Sequence, residues 1–119
     1  MTRASDTDPT SLLPLTPVAF EILLALLAGE AHGYAIMRSV RERAGGQTGL
    51  HAGTLYRALS RLVDTGLIEE TEDPPRATAD ERRRYYAVTK TGRQVASAEA
   101  HRLESLLGTA RAHGLLQQS

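Results

Sequence analysis

Between Leu50 and Glu70 the chain runs Leu-His-Ala-Gly-Thr-Leu-Tyr-Arg-Ala-Leu-Ser-Arg-Leu-Val-Asp-Thr-Gly-Leu-Ile-Glu-Glu, and this stretch admits few structures. Leu55, Ala58, Leu59, Leu62 and Val63 recur at the i, i+3, i+4, i+7, i+8 spacing of one helical face. Gly53, Arg57, Ser60, Arg61 and Asp64 then fall on the opposite face, with Thr54 and Tyr56 at its edges. The spacing predicts a helix from about Gly53 that stops at Gly66, where a left-handed closing residue belongs. Leu67 to Glu70 reads as the start of a short strand. A short helix with one apolar face, hydroxyls near its N-terminus and two outward arginines is what a DNA major groove accepts. The same periodicity also describes an ordinary amphipathic surface helix.

Upstream, Leu15-Thr16-Pro17 opens a first helix. Thr16 is an N-cap, Pro17 suits the first helical position, and Leu15 can staple onto Phe20. This helix runs to Ala28 and stops at Gly29. Phe20, Leu23, Leu24 and Leu27 are read as its core stripe. Ile22 and Leu26 lie on the other side, so both surfaces need burial, the second against another subunit or the C-terminal helix. A second helix spans about His32 or Gly33 to Ala44, with Ile36, Met37 and Val40 inward, ahead of Gly45-Gly46. The connection from Gly45 to Ala52 is too long for a bare helix-turn-helix turn and suits a winged one.

Leu67 to Glu72 and Arg84 to Thr89 alternate as antiparallel strands, one of Tyr85 and Tyr86 facing inward. The proline-containing loop from Asp73 to Asp80 between them forms a protruding wing. Thr89 caps a last helix from Lys90 or Thr91 to His113, closed by Gly114. Ala96, Leu103 and Ala110 recur every seven residues along it, with Ala100, Leu106 and Leu107 between, a short coiled-coil-like seam that needs a partner.

Three segments together resemble the PadR family of transcriptional regulators. Gly53-Thr54-Leu55-Tyr56 with Ala58-Leu59 and Arg61-Leu62 is similar to its recognition-helix motif. His32-Gly33-Tyr34 with Ile36 resembles its second-helix signature. Arg83-Arg84-Tyr85-Tyr86, then Val88-Thr89 and Gly92, resembles its wing-to-dimer-helix segment. The likeness runs from about Leu15 to Leu116. One departure is Arg57, where many members carry proline; arginine is itself a reader of guanine.

The resemblance implies a mainly α fold with a small β-wing, a winged helix-turn-helix plus a long C-terminal dimerisation helix. Residues 1–14 are expected as a disordered tail, 15–89 as the DNA-binding domain and 90–116 as the dimerisation helix. Thr54, Arg57, Ser60 and Arg61 are expected to read bases. Tyr56, His32, Tyr34 and the wing arginines Arg82, Arg83 and Arg84 are expected on phosphates. Ile22, Leu26, Ala96, Leu103, Leu106, Leu107 and Ala110 are expected at a homodimer interface. The partners implied are double-stranded DNA with a palindromic operator, a second copy of the chain and a small-molecule effector that relieves repression. With no tryptophan and one phenylalanine, an aromatic drug sandwich at the dimer interface has no support.

Composition narrows the rivals. At 119 residues the chain suits one domain, and its 41% hydrophobic content is that of a globular protein. No apolar run is long enough to span a membrane, and no basic-then-apolar leader opens the sequence, so a cytoplasmic protein is expected. The absence of cysteine excludes disulfides, thiol nucleophiles and cysteine zinc sites. Net charge is zero, yet from His32 to Leu62 five arginines face Glu42 alone, while acids collect between Glu69 and Glu81. No glycine-rich phosphate loop, Gly-x-Ser-x-Gly elbow or His-Glu-x-x-His occurs, so neither an enzyme nor a cofactor is expected. The four histidines are scattered, and no metal site is expected. A protein-docking winged helix and a metal-responsive sensor using His101 remain the alternatives.

Overall fold

The computed structural model describes residues 9–29, 31–43, 51–71 and 85–117. A turn of 3-10 helix, Pro9–Leu12, precedes α1 (Pro17–Leu26), β1 (Ala31–His32), α2 (Gly33–Arg43), α3 (Ala52–Asp64), β2 (Ile68–Thr71), β3 (Tyr85–Val88) and α4 (Lys90–Ala112). The fold is the expected one, mainly helical with a small antiparallel sheet. It has three strands, however, in the order β1-β3-β2. β2 and β3 pair from Ile68↔Val88 to Thr71↔Tyr85, and β1 adds Ala31↔Tyr86 and His32↔Tyr85. A two-residue strand has no periodicity to detect, which is why the sequence shows only two.

Helix starts follow their local chemistry. Thr16 Oγ1 accepts the Ala19 amide at 3.1 Å, with Pro17 at the first helical position. Thr89 Oγ1 accepts the Gly92 amide at 3.0 Å and caps α4. α3 closes as anticipated at Gly66, whose φ is +80°. The Gly66 amide returns to the Val63 carbonyl and the Leu67 amide to the Leu62 carbonyl, each at 3.0 Å, so that two helix-end carbonyls are satisfied.

The core joins Ile22, Leu23 and Leu26 of α1, Ile36, Met37 and Val40 of α2, Leu55, Leu59 and Leu62 of α3, Leu67, Ile68 and Tyr86 of the sheet region, and Val95 and Ala96 of α4. Two sequence expectations need correction here. The α1 stripe facing the core is rotated by one position. Ile22 and Leu26 are 0% and 1% exposed, whereas Leu27 is an exposed residue. Ile22, Leu26 and Ala96 lie in the chain's own core and cannot meet a second subunit. In an all-round apolar helix the stripes 19-22-23-26 and 20-23-24-27 are equally good, and only tertiary packing selects between them.

The N-terminal segment also differs from a free tail over residues 9–14. The 3-10 turn packs on α4, and Leu12, Leu13 and Leu15 lie against the core. Beneath this strap sits the one charged side chain buried among the described residues, Glu99. Its carboxylate takes Arg102 Nε at 2.8 Å and Nη2 at 2.7 Å, and the Leu15 amide reaches Oε1 at 3.5 Å. The Arg102 hydrogen bonds hold the Glu99 carboxyl below its ordinary value, against the opposing effect of burial. After Glu99 no residue of α4 is buried.

Candidate nucleic-acid interface

α3 positions the candidate reading face by burying the other one. With Leu55, Leu59 and Leu62 in the core, Arg57, Ser60, Arg61 and Asp64 are exposed and Thr54 is half-buried. Arg57 Nη2 lies 3.4 Å from Thr54 Oγ1, so the guanidinium is drawn back toward the N-terminal end of the helix. Ser60 follows one turn later. The far end of the face changes sign. Asp64 and Glu70 line a cleft of about 440 Å³ between α3 and the sheet, together with Tyr56, Ser60, Val63 and Tyr86. Thr54, Arg57 and Ser60 therefore lie toward the N-terminal two-thirds of α3, the end a major groove receives, and Arg61 stands in its last turn.

The N-terminus of α2 lies beside it. His32 Nδ1 accepts the Ala35 amide at 3.2 Å, which makes His32 the cap of α2 and leaves its ring proton on Nε2. Its ring stacks on Tyr34 with centroids 6.5 Å apart and meets Tyr85 edge-on at 5.5 Å. Tyr34 is 62% exposed and Tyr56 48%. Tyr56 packs over Gly33 so closely that a Cβ there would stand 2.7 Å from its hydroxyl oxygen. The glycine between His32 and Tyr34 is what lets α2 and α3 approach. His32, Tyr34 and Tyr56, singled out from separate motifs, thus form one aromatic cluster at the edge of the α3 face.

Arg38 was not anticipated as part of this surface. Its guanidinium carbon sits 5.5 Å from the centre of the Tyr34 ring, one helical turn away. The i, i+4 spacing of Tyr34 and Arg38 on a solvated helix flank was the available signal. Arg61 lies on the other flank of α3, where it lines a groove with Leu12 and Leu15. Arg82, Arg83 and Arg84, the wing loop 73–80 and most of the connection 45–52 lie outside the described residues.

A second surface is apolar. Phe20 of α1 with Ala100, Leu103 and Leu107 of α4 lines an open groove of about 480 Å³. Leu106 and Leu107 are 56% and 44% exposed. Of the seven expected interface residues, Leu103, Leu106, Leu107 and Ala110 remain accessible. Among the described residues no three His, Cys, Asp or Glu side chains converge as metal ligands, and none of the helices is long and apolar enough to cross a membrane. His101 Nδ1 is 2.8 Å from the Ser97 carbonyl oxygen.

Comparison with known proteins places this geometry. The model of the PadR-like transcriptional regulator family matches residues 22–98. A protein of transposon Tn4556 from Streptomyces fradiae, described as uncharacterized and of 37.1 kDa, is 34% identical over 87 residues, which is 73% of this chain and 23% of that protein. The chain therefore spans less than a quarter of that relative's length. A PadR family transcription regulator from Clostridium difficile superimposes with a TM-score of 0.72 at 24% identity, over 82% of this chain and 98% of that one. PadR of Bacillus subtilis, in complex with operator DNA, gives a TM-score of 0.59 at 24% identity, over 74% of this chain and 47% of that one. Both structures share the fold.

Proposed function

The chain belongs to the PadR-like family of transcriptional regulators, and from that premise we propose that it is a sequence-specific DNA-binding regulator, a homodimeric repressor released by an effector. The observation that carries this reading is the exposed face of α3, with Thr54, Arg57, Ser60 and Arg61 presented by a helix whose opposite face is buried. Arg57 has the reach and fork geometry to take guanine O6 and N7, and Thr54 and Ser60 supply shorter contacts. Tyr34, Tyr56 and Arg38, exposed at the edge of this face, are assigned to the flanking phosphates. These contacts fix register, while those of α3 specify sequence. The operator-bound relative in Bacillus subtilis supports DNA as the partner.

The unburied half of α4 supports the homodimer. The Phe20, Leu24 and Leu27 side of α1, with Leu103, Leu106, Leu107 and Ala110, is the apolar surface that a second copy would cover. Two recognition helices related by a two-fold axis match two half-sites about one helical turn apart, or a multiple of that spacing. An effector that changes their separation or tilt abolishes the match. Occupation of a promoter by the dimer blocks polymerase, which is the repressor reading.

The test is a titration of the chain against its own upstream DNA by fluorescence anisotropy at several salt concentrations. The expected result is specific binding with a steep negative salt slope. Arg57→Ala should weaken it roughly 10- to 100-fold and relax the preference at one base pair per half-site. Sequence-blind binding that Arg57→Ala leaves unchanged would refute base reading by α3 and favour a protein-docking role.

A further inference from the structure

The N-terminal strap, α1 and the second half of α3 enclose a groove of about 280 Å³ that the proposed DNA contacts do not use. Leu12, Leu15, Leu62 and Leu67 line it, and all the apolar lining is aliphatic, with no aromatic ring. Such a surface favours an alkyl chain over a stacked planar ring. Its polar groups are few. The Thr65 hydroxyl is committed to the Arg61 and Leu62 carbonyls at 3.0 and 3.2 Å. The Thr16 hydroxyl oxygen already accepts the Ala19 amide. That leaves the Arg61 guanidinium as the charged donor at the site, with no carboxylate among the lining residues to neutralise it.

The wall opposite Arg61 is held in place from behind. The Leu15 amide reaches the buried Glu99 carboxylate, which is locked in turn by the two Arg102 hydrogen bonds. An aliphatic groove with one cation that has no carboxylate partner among the described residues is chemically complementary to an amphipathic anion. We propose that this groove binds an aliphatic carboxylate of medium chain length, its alkyl chain against Leu12, Leu15, Leu62 and Leu67 and its carboxylate on Arg61.

Arg61 belongs to the outward face of α3, so the same guanidinium is then asked to serve two anions. Ligand and DNA exclude one another at Arg61, and each weakens the other by the same factor. This coupling rests on the DNA-binding reading above. Binding of the carboxylate does not.

The two are separated by measuring ligand binding first without DNA. Hexanoate, octanoate and decanoate, each below its micellar concentration, are titrated into the full chain by calorimetry, with 1-octanol as the uncharged control. One ligand should bind per chain, tightening about four-fold for each added methylene until the groove is full. Arg61→Gln should weaken octanoate at least ten-fold and bring it level with octanol. Ala19→Leu, which fills the groove from α1, should abolish binding of the whole series while preserving DNA affinity. Absence of binding across the series overturns the site. So does binding indifferent to both substitutions, or amide shifts that map to the Phe20–Leu107 groove instead. With DNA present, octanoate should loosen the complex of the unsubstituted chain and leave that of Ala19→Leu unaltered. An unchanged wild-type complex would remove the effector role. A chain that binds octanoate but no DNA would instead refute the DNA-binding reading and leave the site standing.

Discussion

Alanine at Gly92 and alanine at Gly108 should move stability in opposite directions, although both glycines lie in α4. Helix propensity alone predicts that either change stabilises by about 1 kcal/mol. Gly92, however, is buried where α4 begins against the turn that ends α3. A Cβ there would overlap the Leu67 carbonyl oxygen and stand 2.8 Å from Val88 Cγ2. The Leu67 carbonyl cannot simply retreat. It accepts the Thr89 amide at 3.1 Å and lies 3.1 Å from the Thr89 hydroxyl, which also donates to the Gly66 carbonyl at 2.7 Å. Overpacking of this kind costs about 1–3 kcal/mol, and loss of one hydrogen bond about 1 kcal/mol more. Against a propensity gain of about 1 kcal/mol, Gly92→Ala should destabilise by about 1–3 kcal/mol. At Gly108 a Cβ meets nothing within 4 Å, so the propensity gain of about 1 kcal/mol stands alone. Urea unfolding of both variants at one fixed protein concentration, with unchanged m-values, measures the contrast. A Gly92→Ala variant as stable as the unsubstituted chain, or more so, would refute the packing account of Gly92. A destabilising Gly108→Ala that becomes milder on dilution would place Gly108 in a close helix–helix contact between subunits.

Three further substitutions test the interface and the strap. Arg38→Ala should lower DNA affinity uniformly across sequences and reduce the magnitude of the salt slope by about 1, as expected for one lost phosphate contact. Tyr34→Leu, which removes the ring under the guanidinium, should give a smaller loss of the same kind. A sequence-dependent loss would instead make Arg38 a base reader. Glu99→Gln should lower the melting temperature at pH 7, because it removes the ionised acceptor of Arg102 and the Leu15 amide. The folded-state pKa of Glu99 is depressed, so its contribution is fully present above the unfolded value near 4.5 and is lost as pH falls through the folded one. Melting curves of the two proteins should therefore converge under acid, and a gap that persists below both values would show a packing effect rather than an ionic one.

Where local chemistry decides structure, the sequence was sufficient. Thr16-Pro17, Thr89 and Gly66 each carry a single-residue mechanism for starting or stopping a helix, and each acts where it was expected. α3 was legible because its apolar positions occupy one narrow face, and its outward residues follow by exclusion. α1 was not, because apolar residues surround it and two stripes satisfy the same period. The decision lies in contacts with α2, α3 and α4, which no window of α1 contains. The same limit hid the site partners. Gly33 and Tyr56 are 23 positions apart, and nothing short of packing α2 on α3 shows that the glycine seats the tyrosine ring. Nothing in the sequence around Glu99 signals that the strap covers it. Its burial required Leu15 and Arg102 to arrive together from different directions, one from before α1 and one from the next turn of α4. The exposure of Tyr34, Tyr56, Arg57, Ser60 and Arg61 is thus legible from periodicity and motif. Two neighbours that orient them, Gly33 against Tyr56 and Tyr85 against His32, emerge only from tertiary contact, whereas Arg38 over Tyr34 is a contact within one helix. Orientation is where specificity is set, since an arginine reads guanine through its two-pronged geometry and not through its charge.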